Sequence, residues 1–171
     1  MPELFPWFLF LHVLGAIIAF GPTFAFAIIG AMGGKEPMHA NFATRVSHKV
    51  TDRLVEPFAI SMAFTGVGLI WAAGINPFAP EYRWLLVAIV IYVLALVFSF
   101  LVQRPTVKRI IELSGGESGA PPPGPLPGAA NAGPPPALAA AVGAVQRNGM
   151  VLALALVAIV FLMVVKPSLG G

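Results

Sequence analysis

Chemistry in this 171-residue chain is confined to few side chains: three histidines, seven carboxylates and no cysteine. The lack of thiols excludes disulfide frameworks, zinc knuckles, iron–sulfur ligation, thiolate nucleophiles and covalent haem attachment through CxxCH. His12 is the most informative residue. It stands eight residues past the start of an apolar run, about 12 Å along a helix that rises 1.5 Å per residue. At helical spacing its neighbours are Phe8, Gly15, Ala16, Ala19 and Thr23, most of them small. An ionisable side chain facing lipid is costly, so His12 is expected to point into the protein. One reading is a neutral imidazole bonded to a Ser, a Thr or a carbonyl of a neighbouring element. The other is an axial haem ligand or a contact to another metal.

His48, Asp52 and Glu56 recur every four residues and share one helical face. A histidine with two carboxylates suits a bound cation or a proton path, which makes His48 and Asp52 candidate metal contacts. Ordinary intrahelical pairing explains the same residues, with Lys49 reaching Asp52 and Arg53 reaching Glu56 at spacing three. Ser47, His48 and Asp52 do not make a catalytic triad, which geometry assembles and adjacency does not. His39 with Met38 and Met32 has the soft ligands that suit Cu(I), but a loop with one histidine and two methionines is weakly specific. Gly66-x-Gly68 lies in an apolar run and follows no strand, so it is no dinucleotide fingerprint.

The elements that must position these residues follow from charge. Of all residues, 58% are hydrophobic and 10% charged, with a mean hydropathy of +0.88; a soluble domain carries about a quarter charged residues. Four windows contain no charge, between Glu3 and Lys35, Glu56 and Glu81, Arg83 and Arg104, and Arg147 and Lys166. Each has the length of a membrane crossing, roughly 17 to 25 residues or more. The prediction is an all-α, four-transmembrane-helix bundle, a single membrane domain over 1–171 with spans at about 4–29, 57–75, 84–103 and 149–165.

Orientation follows from the basic residues. Arg83 and Lys166 fall on the side of the termini; Lys35, Arg45, Lys49, Arg53, Arg104, Lys108, Arg109 and Arg147 fall on the other. Positive loops stay in the cytoplasm, so the reading is a multi-pass membrane protein with both termini outside (N-out/C-out). The pI of about 9.7 then reflects topology and anionic head groups, and no nucleic-acid partner is expected. The first apolar run is preceded by Glu3 alone and is too long for a signal h-region, so it is expected to be retained.

Along the chain, Pro22 after Gly21 predicts a kink or break near 20–23. Residues 41–56 read as an amphipathic helix continuing into the second span. There Thr65, Gly66 and Gly68 offer a small-residue surface for close helix approach. Residues 114–136 hold eight prolines and six glycines and are expected to form a flexible cytoplasmic linker. Helix restarts over 137–145, and Lys166-Pro167 stops the last span. No internal repeat is visible.

Leu11-His12-Val13-Leu14-Gly15-Ala16-Ile17 resembles the opening signature of a bacterial family of small predicted integral membrane proteins, classed as a domain of unknown function. Asp52 with Pro57 and Thr65-Gly66, Val102-Gln103-Arg104 with Lys108-Arg109, and Phe161 to Pro167 resemble its later motifs. Arg53 replaces a frequent aromatic residue, and Ala63 a common glutamine. The family is distantly similar to CopD-type copper-resistance domains and to HemJ-type protoporphyrinogen oxidases, in which a first-span histidine in a comparable Leu-His context is linked to haem binding. The resemblance implies that role for His12 and a place in the bacterial inner membrane, and it matches no second ligand.

The functional expectation is therefore a membrane redox or tetrapyrrole-associated protein holding b-type haem, or a metal, through His12. The alternative is a non-enzymatic structural or accessory subunit, partnered in the bilayer by a second copy or by a larger membrane complex. A small copper or proton transporter is the third reading. Against it, the spans offer few polar groups beyond His12, chiefly Thr23, Ser61, Thr65 and Ser99.

Overall fold

The computed structural model describes residues 2–118 and 135–167, and among them there is helix and no strand. Four helices are long and apolar enough to cross a membrane: Phe5–Lys35, Met38–Ala73, Pro80–Leu113 and Pro136–Val165. The first is α1 (Phe5–Lys35). The second joins α2 (Pro37–Val50) to α3 (Glu56–Ala73) through a π-helical turn, Thr51–Val55. The third joins α4 (Arg83–Phe98) to α5 (Arg104–Leu113) through another, Ser99–Gln103. The fourth is α6 (Pro136–Val165). Four-span, all-helical architecture is what the charge-free windows predicted.

Of the kink or break expected at Pro22, the break does not occur. α1 runs unbroken through it, because proline inside an apolar helix costs one hydrogen bond but leaves the helix the only conformation that satisfies its other amides in lipid. The amphipathic stretch does continue into the second span, and the restart expected over 137–145 is the first part of one helix, α6. That helix ends where Lys166 takes a left-handed φ of 47°; the residue before Pro167 is barred from continuing it. Of the expected linker, 114–118 is a turn held on α5, and 119–134 lies outside the described residues.

α1 and α3 pack antiparallel through small residues. A Cβ on Gly15 would stand 3.1 Å from Met62, one on Gly66 3.4 Å from the His12 ring, and one on Gly68 2.4 Å from the Phe8 ring. The steadily falling partner number along α1 is the signature of antiparallel register. Ala19, Ala59 and Met62 form the buried cluster beside it, with Leu96 of α4 packed on top. α4 packs on α6, and α2 on α5. At the end carrying the first and last described residues, the Lys166 ammonium lies 5.7 Å from the Trp84 ring centre, within cation–π range.

Candidate functional site

His12 lies at the α1–α3 interface, part-buried, with Nδ1 3.0 Å from Thr65 Oγ1. This is one of the two readings of His12 anticipated from the sequence, an imidazole–hydroxyl pairing. Thr65 lies 3.2 Å from the Ser61 carbonyl and 3.3 Å from that of Met62, both acceptors on its own helix. A threonine hydroxyl has one hydrogen, which goes either to a carbonyl of α3 or to the imidazole. With the hydrogen on the α3 carbonyl, Nδ1 carries the proton and donates, and neutral His12 keeps a bare lone pair on Nε2.

The second site lies where the second and third membrane helices change to π geometry. Arg104 places one guanidinium nitrogen 3.3 Å from Asp52 Oδ1 and the other 3.4 Å from Glu56 Oε2. His48 Nε2 lies 3.6 Å from Asp52 Oδ2. His48, Asp52 and Glu56 do share a face, as their spacing predicted. Their partner differs: neither Lys49 nor Arg53 takes the carboxylates, because Arg104, from the neighbouring helix, reaches both at once. A planar guanidinium fork that reaches two carboxylates at once outcompetes the flexible intrahelical alternatives at this part-exposed interface. Among the described residues no three of His, Asp and Glu converge as a metal-ligand set, and Arg104 stands where a cation would sit.

Both π turns have the same local cause. Pro57 and Pro105 lack an N–H, and each ring crowds the carbonyl four residues back, Arg53 and Leu101 respectively. Widening the helix relieves the clash. The Glu56 and Arg104 amides then bond five residues back, to Thr51 and Ser99. The wider turns swing Asp52, Glu56 and Arg104 into one layer.

The other candidates separate. His39 Nδ1 pairs with Glu36 at 3.1 Å on the surface and Met38 is 88% exposed; the expected loop is instead helix, with Met32 in α1 and Met38 and His39 in the first turn of α2. Ala63 is exposed. Two residues that the sequence reading passed over tie the helices together. Tyr92 donates its hydroxyl to the Ala59 carbonyl, and buried Asn41 spans Ile111 O, Ser114 Oγ and Gly116 O at 3.0–3.3 Å. Tyr92 is the one phenol in the third span, a signal that singles it out; Asn41 has no sequence signature.

Residues 7–123 match the family described as "Predicted integral membrane protein (DUF2269)". The match takes in His12, Thr65, the π turns and Arg104, and ends before α6, so the closing motif at 161–167 lies beyond it. No curated protein and no solved structure matches the chain.

Proposed function

The chain belongs to this family of predicted integral membrane proteins, DUF2269, and on that premise we propose that it holds a b-type haem, or a related metal centre, inside the bilayer through His12 Nε2. One observation carries the reading. Thr65 Oγ1 lies 3.0 Å from Nδ1, so Nε2 is the ring nitrogen that would coordinate. Metal-ligating histidines are held in this way by a partner on the other ring nitrogen. The donor chemistry fits, since neutral imidazole is a haem ligand. The Leu11-His12 context, which resembles that of HemJ-type proteins, supports it further.

A haem supplies one-electron redox chemistry when bound. The chain's own part is to orient the ring through Thr65, to leave room beside it at Gly66, and to keep water out with the apolar faces of α1 and α3. The orientation that goes with this reading places the basic end of the bundle in the cytoplasm.

Purified from haem-replete cells, the protein should show a Soret band and iron in near-stoichiometric amount. His12→Ala should lose both, and Thr65→Val should retain less of each. Colourless, iron-free protein that co-purifies with stoichiometric partners would replace this reading with that of an accessory subunit.

A further inference from the structure

The face of the second helix that looks away from Arg104 carries two parallel rows of side chains. Phe42, Val46, Val50 and Leu54 form an apolar row at spacing four, and Arg45, Lys49 and Arg53 form a cationic row beside it, the two enclosing one shallow groove. Phe42 is 62% and Leu54 43% exposed. Arg45 is occupied, donating to Asn41 and to the Glu117 carbonyl. Lys49 and Arg53 are exposed and have no ion-pair partner among the described residues.

The depth of this groove follows from α1. Its apolar stretch from Phe5 to Met32 is about 42 Å long at 1.5 Å per residue, against about 30 Å of hydrocarbon. Gly33 packs on Ala40 and Ala43, so the antiparallel register of α1 and α3 persists to the end of α1. Residues 23–32 of α1 therefore lie level with about 45–54 of the second helix. Phe24, Ile28 and Met32, 58–65% exposed, need an apolar neighbour at the level where Lys49 and Arg53 project. Arg53 and Lys49 stand about 6 and 12 Å along the helix from Pro57, where the span begins. An apolar floor, a cationic wall and a position at the membrane boundary match one class of molecule.

We propose that this groove binds an anionic phospholipid, with the phosphate held by Lys49 and Arg53 and an acyl chain running from there past Val50 and Leu54 toward the span. A polar lysate protein would satisfy the cations but not the adjoining apolar overhang of α1. A zwitterionic lipid would cover the apolar row and leave the cations without a counter-charge.

The test uses the full-length protein in mild detergent, offered mixed phosphatidylglycerol and phosphatidylcholine, with retained lipid counted by native mass spectrometry. The wild-type protein should retain phosphatidylglycerol preferentially. The Lys49→Gln/Arg53→Gln variant should lose that preference by roughly thirty-fold, about fivefold per cation, with unchanged helicity and melting in phosphatidylcholine. The preference should weaken as salt is raised. Equal retention of both lipids by the wild-type protein, or an unchanged preference in the double variant, would overturn the proposal. So would inorganic phosphate competing as well as the lipid, which would mark a plain anion site. Should the double variant misfold, Lys49→Arg provides the control: it must keep the preference.

Discussion

Pro57 and Pro105 stand at the same offset from a π-helical turn, each two residues past its end, on neighbouring helices. Each proline removes a donor and crowds a carbonyl, and each helix answers by widening one turn. The paired widening sets the layer in which Arg104 meets Asp52 and Glu56. Pro57→Ala restores the missing N–H and lets the turn tighten, which shifts Asp52 around the helix axis. The coupling between Asp52 and Arg104 in a double-mutant cycle, about 0.5–1 kcal/mol for a part-exposed pair, should then fall toward zero.

Arg104 neutralises two carboxylates, so its loss leaves two like charges close together. Arg104→Met should destabilise the folded protein by about 1–3 kcal/mol in detergent melting. Adding Asp52→Asn and Glu56→Gln to it should recover most of that loss, because the repulsion goes with the charges. Failure of the triple variant to recover would show that Arg104 matters for packing and not for charge.

The glycines of α3 differ in what they accommodate. A methyl at Gly68 would meet the Phe8 ring at 2.4 Å, whereas one at Gly66 would rest 3.4 Å from His12. Gly68→Ala should therefore cost about 1–3 kcal/mol as Phe8 is forced aside, and Gly66→Ala should stay within about 0.5 kcal/mol. Thermal melting of the two variants in one detergent decides the order.

Much of this was legible in the sequence, for identifiable reasons. Charge-free windows report spans because lipid excludes charge whatever the tertiary structure, and small residues beside His12 report the face that packs. The partner of Asp52 and Glu56 was not legible. Lys49 and Arg53 have suitable spacing, and nothing local says that a cation 48 residues after Glu56 will take their place. The π turns escaped for a related reason: proline at 57 and 105 signals a disturbed helix, but whether it breaks, bends or widens is settled by the neighbouring helices. At Pro22 the same signal produced no break at all.

The excess of basic residues at one end of the bundle, eight against two, predicts the orientation. A periplasm-active reporter fused after Gly171 should be active, and one fused within 114–118 should be inactive. The opposite pattern would reverse the assignment of the basic end to the cytoplasm.

Haem binding through His12 turns on its two ring nitrogens, and solid-state nitrogen NMR of ring-labelled protein in bilayers reads them directly. Nδ1 should be protonated and bonded to Thr65 and Nε2 unprotonated, with added haem shifting the Nε2 resonance and leaving the Nδ1 proton in place. A protonated Nε2 with a bare Nδ1, or an Nε2 resonance indifferent to haem, would contradict it.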